Sequence, residues 1–330
     1  MARLSTVSYL CMPIFAALMI AVPASGSLAQ GYPSRPITAI VPHAPAGGTD
    51  IVARIVADRM KSTLGQPVII ENVPAAAGTI GVSRLAQAAP DGYTIGIGDQ
   101  TSFLISGLTN PVRYDVLKDF EPISLLSTSP TTLVGRTTLP PPDLKQLIAW
   151  LRANPGKATA GSFGQGSGPH IIAIAFQNMT ATQFHIASYR GVAPAIQDVI
   201  SGQLDLLFLE VSGMISHLRS GSVKGYMVLA RERSAAVPDL PAIEEAGGPP
   251  LHVTTWRGMW TPKGTPTQVT TRLHAAVVEA LGDASVQKRI AEVGQEVVPR
   301  SQQTPQALAM HHEAEMQKWL PMIKAASAER

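Results

Sequence analysis

Cysteine is almost absent from this chain of 330 residues: the one present is Cys11, near the amino terminus. It falls inside a stretch with the marks of a secretory leader. Arg3 gives a positive start, Tyr9 to Val22 is almost wholly apolar, and Ser27-Leu28-Ala29 offers the small residues of a cleavage site. Residues 1–29 are expected to be a signal peptide. A lipid-carrying cysteine would follow the apolar stretch rather than begin it, so lipidation is not expected. The processed chain, starting near Gln30, then has no cysteine, which excludes a disulfide framework and a thiol nucleophile. Long apolar runs are missing too. The leader's stretch falls short of the ~20 residues a membrane span needs, and no later segment reaches that length, so a soluble periplasmic protein is expected. An excess of charge is also lacking: 26 Lys and Arg stand against 23 Asp and Glu, which gives no electrostatic footprint for nucleic acid.

What is present is a repeating theme of apolar run, small-residue turn and amphipathic helix. Ile37 to Val41, a helix from Ile51 to Leu64 ended by Gly65, and a strand from Pro67 to Ile70 form one βαβ unit. A short helix (Val82 to Ala88) and a strand (Tyr93 to Gly98) follow. After "LPPPD" (139–143) and a helix from Leu144 to Ala153 the theme returns. "GVAPAIQDVISGQLDLLFLE" reads most clearly, with Pro194 in the first helical turn, Gly202 at the end and a buried strand behind. Three helical stretches close the chain: Pro266 to Leu281, Ser285 to Val293 and Thr304 to Ala326. The alternation predicts an α/β fold with a mostly parallel sheet covered by helices. It also predicts two lobes, the first discontinuous: residues 30–130 with 256–330, and 131–255.

"VPHAPAGGTD" (41–50) resembles a phosphate loop without its lysine, and it has no G-x-G-x-x-G either. What remains is a helix N-terminus whose free N–H groups, beside Gly47 and Gly48, make an anion cradle. Thr49 or Asp50 can cap that helix, and Asp50 is expected to be structural. A helix end alone contributes only ~0.3–2 kcal/mol to an anion, so several loops must converge. "VPAAAGTIG" (73–81), "GDQTS" (98–102) and "GSFGQGSGPH" (161–170) are the candidates. The last has glycines at intervals unsuited to a nucleotide, and "AGSFG" approximates a serine elbow without the strong strand and immediate helix that an elbow needs. His311-His312 lacks the i, i+4 spacing of a zinc site, so a solvated helix face is the simpler reading. Trp256 and Trp260, with Arg257 between, either line a cleft or fill a core.

Read together, "YPSRPITAIVP", "GGTDIVARIVADRM", "LGQPVIIEN", "AAPDGYTI", "DVLKDFEPIS", "SYRGVAPAIQDVISGQLDLLF", "VPDLPAIEEAG" and "TPKGTP" resemble the Bug-type periplasmic solute receptors of tripartite tricarboxylate transporters. The likeness spans essentially the whole chain after the leader. It implies a two-domain Venus-flytrap fold, without cofactor, metal or catalysis, that closes on a small carboxylate and delivers it to a membrane permease, acting as a monomer. It also implies that Ala44 to Thr49 and Ser162 to Ser167 are pincers on the ligand's carboxylate. The family loop commonly reads Phe-Pro-Pro-Gly-Gly-Gly-Thr-Asp, and His43, Ala44 and Ala46 depart from it. Phe163 stands for a small residue, Gln165 for Asn, and Leu209-Glu210 for Asp-Asn. These departures favour an aromatic or alkyl carboxylate over an amino acid, with contacts from Phe163, Leu209 and Trp256. Anion capture is assigned to the backbone at Gly47, Gly48, Gly78 and Gly164, and to the side chains of Thr49, Thr101, Ser102, Ser162, Ser167 and Tyr189. Two other readings stand beside this one: a secreted hydrolase using Ser162, and a receptor feeding a membrane signalling protein.

Overall fold

Ile37–Val41 forms β1, and the turn after it opens α1 (Gly48–Leu64), which stops where Gly65 turns left-handed at φ 74°. Then come β2 (Val68–Asn72), α2 (Thr79–Ala86), β3 (Thr94–Asp99), a π-helical turn at 101–105 and the short α3 (Ser106–Thr109). β1 pairs in parallel with β2 on one side and β3 on the other. These elements come from a computed structural model that describes residues 31–328, so the expected signal peptide lies outside the described residues.

A long strand, β4 (Phe120–Gly135), leads into α4 (Leu144–Ala153), β5 (Thr159–Ser162), α5 (Gly168–Thr180), β6 (His185–Ser188) and α6 (Val192–Ser201). β7 (Leu206–Glu210), α7 (Val211–Ser220) and β8 (Lys224–Val228) complete that stretch. The chain returns through β9 (Thr254–Pro262), α8 (Thr267–Gly282), α9 (Ala284–Glu292), β10 (Glu296–Val297) and α10 (Pro305–Ala328). The main sheet order is β2-β1-β3-β9-β4-β7-β5-β6, with β8 and β10 also pairing β4.

The sheet is mixed, which corrects the expectation of a mostly parallel one. β9 runs antiparallel to β3 and β4, and β4 runs antiparallel to β7, β8 and β10. β4 is the joint of the molecule. Its residues from Phe120 to Pro130 pair with β9, and those from Thr131 to Gly135 pair with β7 and β8. The first half of the sheet therefore carries β1, β2, β3, β9 and β10, and the second half β5, β6, β7 and β8. β4 is covered on both faces, so it shows no polar-apolar alternation. Pro122 and Pro130 also argue against a strand locally. Pro122 sits beside an irregularity in the register, and Pro130 where the partners change.

Helices pack on both faces. α1, α8 and α9 bury Val52, Val56, Leu273, Val277 and Ile290 against one side of the first half. α2 and α10 cover the other with Leu85, Leu308 and Trp319, in a core that continues into α4 and α5 of the second half. Trp256 and Trp260 belong to this core, and Trp260 stacks on Phe103 with centroids 3.9 Å apart. Trp256 is fully buried, which fits the core-filling alternative for it. The solvated-face reading of His311-His312 fails for His312, which is buried and bonded through Nε2 to the Phe103 carbonyl at 2.8 Å. Burial pushes its pKa down to about 4. Among the described residues no cluster of His, Cys, Asp or Glu suits a metal ion.

Candidate functional site

In the first half, α1 lies on one face of the sheet and α2 on the other, because the connections from β1 to β2 and from β2 to β3 leave in opposite directions. A crevice opens where such connections diverge, at the carboxyl ends of the parallel strands β1 and β3. The second half repeats the arrangement. β5 lies between β6 and β7, α5 and α6 belong to different cores, and a second crevice opens beyond β5 and β7. The sequence-predicted residues divide between these places: His43 to Thr49, Gly78, Thr101 and Ser102 at the first, and Ser162 to Ser167, Tyr189, Leu209 and Glu210 at the second.

The two crevices face each other across β4 and β9. A Cβ on Gly48 would lie 3.5 Å from Ser212 Oγ at the start of α7, and one on Gly166 would lie 3.5 Å from the Thr109 side chain. A Cβ on Gly168 would lie 3.8 Å from Ile105. Loops from opposite halves thus stand within van der Waals reach.

At the first crevice the structure gathers a buried carboxylate that sequence reasoning missed. Asp99, 4% exposed, accepts from Thr49 Oγ1 at 2.8 Å and from the Ser102 amide at 3.0 Å, and lies 2.9 Å from His43 Nε2. Burial disfavours charge on both His43 and Asp99, but their mutual attraction and hydrogen bond outweigh it. The His43 pKa is raised and the Asp99 pKa is driven well below the usual carboxylate range. Thr49, Ser102 and His43 are thereby oriented by Asp99, and their polar atoms are partly used inside the protein. Gly78, at φ 90°, lets the chain close on this cluster, since a Cβ there would fall 2.8 Å from Ser102 Cβ. Asp50 is structural as expected: it accepts from the Ala46 amide, Asn72 and Arg54.

The helices that begin at the crevices are left open. α1, α2, α5, α6 and α7 have no side-chain cap; α4 and α9 are capped by Asp143 and Asp283, while α8, away from the crevices, is uncapped as well. The first-turn amides of α1 and α5 have no intrahelical acceptor. Around α1, Ala44, Ala46 and Gly47 are exposed and Gly48 is half-buried. Open amides with a positive helix end are suited to an anion.

At the second crevice several of the expected side chains already have partners within the protein. Ser162 is fully buried and its hydroxyl donates to the Ala187 carbonyl at 3.3 Å, inside the second half. Ser167 Oγ donates to the Gly164 carbonyl at 2.7 Å and accepts from the Phe163 amide, bracing the loop. The Tyr189 hydroxyl is held by Asp198 at 2.8 Å. Leu209 is 9% exposed within a core that Phe163 flanks. Gln165 lines a groove of about 860 Å³ with Arg152, His170 and Gln177. The exposed or half-buried surface of this loop is Phe163 to Ser167.

Arg257 stands between two tryptophans in the sequence, with no motif around it. It is 1% exposed on β9, and its Nη2 donates to Glu210 Oε2 at 2.6 Å across the two halves. Arg113 and Arg190 are exposed, and Arg113 lines a separate groove beside α2. An arginine inside the apolar run "TTWRGMW" was the available signal, because a buried charge demands a partner.

The model of the tripartite tricarboxylate transporter family receptor matches residues 52–327. Protein BugT of Bordetella pertussis is 32% identical, over 94% of this chain and 94% of its own. Among solved structures, MatC of Rhodopseudomonas palustris with bound malate is 33% identical, covers 88% of this chain and all of its own (100%), and superposes with a TM-score of 0.79. R. palustris Rpa4515 with adipate is 30% identical, covers 90% and 98%, and gives 0.80.

Proposed function

This chain belongs to the tripartite tricarboxylate transporter receptor family, and from that premise we propose that it is a periplasmic solute-binding protein for a small organic carboxylate, aliphatic or aromatic, with one or two carboxyl groups. The leader at 1–29 takes it to the periplasm. Residues 30–130 with 256–330 and residues 131–255 are its two domains, and the ligand is held between them by the loops 44–49 and 162–167. Closure is a hinge motion at β4 and β9, within the known repertoire of periplasmic binding proteins. The loaded receptor then delivers its cargo to the permease subunits of a tripartite transporter.

The observation that carries this reading is the pair of facing crevices with uncapped helix ends, Gly48 standing opposite Ser212. Neither helix end alone suffices, since a single one contributes only ~0.3–2 kcal/mol. Two halves acting together supply contacts that exist only in the closed form, which is what makes a ligand drive closure. Malate and adipate appear in the two R. palustris structures, so aliphatic dicarboxylates head the candidates for this chain, and benzoate represents the aromatic class. The test is a thermal-shift and calorimetric titration of the processed chain with these acids. A concentration-dependent rise in melting temperature is expected, with a smaller radius of gyration by X-ray scattering. A chain that responds to no carboxylate sinks the proposal.

A further inference from the structure

We propose that Glu210 is a built-in stand-in for the ligand's carboxylate, and that ligand and Glu210 compete for Arg257. This rests on the carboxylate-binding reading above and deepens it. Arg257 projects from β9 in register with Asp99 of β3 and Ser127 of β4. It is 1% exposed, yet its Nε and Nη1 have no hydrogen-bond partner among the described residues. A guanidinium fork matches a carboxylate through two parallel donors. Here only one corner is engaged, Nη2 with Glu210 Oε2 at 2.6 Å, while Ser212 Oγ donates to the same oxygen at 3.1 Å.

Arg257 and the open end of α1 address one place. A Cβ on Gly48, the first residue of that 17-residue helix, would stand 3.1 Å from Arg257 Nη2. Two sources of positive potential converge there, and both favour an anion. Asp99 attracts the Arg257 charge from the paired position of β3, but its oxygens accept from His43, Thr49 and Ser102 and none is hydrogen-bonded to the guanidinium. Glu210 is the carboxylate hydrogen-bonded to the fork, and its side chain is 26% exposed.

The two partners belong to different halves, Arg257 to β9 and Glu210 to the end of β7. When the halves part, Glu210 leaves with β7 and α7, and the fork of Arg257 stays beside α1 to receive a carboxylate. On closure the ligand's carboxylate holds the place that Glu210 takes in its absence. The site then selects organic anions whose carboxylate reaches the fork, and neutral solutes and amines do not displace Glu210.

The experiment titrates the processed chain and its Glu210→Gln, Arg257→Gln and Arg257→Lys variants with malate, adipate and benzoate by calorimetry, each variant's fold being checked by circular dichroism. Glu210→Gln is expected to bind the preferred acid about tenfold more tightly, the scale of one charge-assisted hydrogen bond in competition. Arg257→Gln is expected to lose at least about tenfold, and Arg257→Lys, which keeps the charge and loses the fork, to fall between. If the wild-type chain binds acid and Glu210→Gln binds it no tighter, this inference is overturned while the receptor reading survives. If folded wild-type chain binds no carboxylate, both fall.

Discussion

The two crevices are built on one plan and finished differently. At the first, three side chains beside the loop are tied to one buried carboxylate: His43, Thr49 and Ser102 converge on Asp99, and Gly78 permits the close approach. At the second, the loop from Phe163 to Ser167 is uncharged and braced by the Ser167 hydroxyl, by the Ser167 amide on the Gly164 carbonyl and by the Gly166 amide on His170, with no ionic pair. Gly164, at φ 101°, has nothing within 4 Å of where a Cβ would be. The first crevice is a wall pre-oriented by a buried ionic pair, and the second is an uncharged flap. Such a division suits a clamp, in which one jaw fixes the anion's position and the other adapts to the rest of the ligand.

Breaking the rigid jaw should have the largest effect. Asp99→Ala leaves His43, Thr49 and Ser102 without their common acceptor in a buried place. A loss of about 3–5 kcal/mol is expected, since removing one partner of a buried ionic pair strands the other. Urea unfolding measures it, and a loss under 1 kcal/mol would mean that the cluster is not a unit.

Glycine replacement sharpens the contrast. Gly78→Ala places a Cβ 2.8 Å from Ser102 Cβ and 3.0 Å from the Pro42 carbonyl in a left-handed conformation. It should cost about 2–3 kcal/mol from strain and crowding together. Gly164→Ala meets only the conformational penalty, about 1 kcal/mol. Equal losses in the two variants would erase the distinction between packed wall and open flap.

The jaws were unequally legible in the sequence. The βαβ periodicity and the Gly65 and Gly202 stops placed α1 and α6, because amphipathic period and helix-ending glycines are local signals. Phe120–Gly135 and Thr254–Pro262 carry no such signal: buried on both faces, they show no alternation, and Pro122 and Pro130 argue against strands. Those two strands set the halves opposite each other, so the geometry of the site stayed hidden even where its loops could be named. For the same reason the loops were predicted and the groups behind them were not. Asp99 and Arg257 lie at adjacent positions of β3 and β9, a long-range pairing that no local pattern states. The hydroxyls present the opposite case. Ser162 and Tyr189 are of the right type and place for an anion contact, but each is used within the second half, by the Ala187 carbonyl and by Asp198.

The rigid jaw should also show in the pH dependence. His43 has its pKa raised in the folded protein, so its stabilising contribution is full below its ordinary value of 6.5 and fades as pH rises through the raised one. Asp99 has its pKa lowered, so its contribution is present above its ordinary 3.8 and is lost as pH falls through the lowered one. Unfolding free energy should therefore decline above pH 6.5, and His43→Gln should flatten that limb without touching the alkaline behaviour of the second half. An unchanged slope in His43→Gln would show that some other group titrates there.

The smallest effect is expected at Ser162, and it tests the flap directly. Its hydroxyl is sealed inside and bonded to the Ala187 carbonyl, so Ser162→Ala should cost roughly 0.5–1.5 kcal/mol of stability, the net worth of one neutral hydrogen bond. Carboxylate affinity should stay within twofold of wild type, because no anion reaches that oxygen. The same variant separates the receptor from the hydrolase: ester turnover that vanishes with the hydroxyl would require Ser162 to leave its buried position and meet a base. A fall in affinity without a fall in stability would instead make the second loop a polar jaw like the first, and the contrast between the two crevices would be lost.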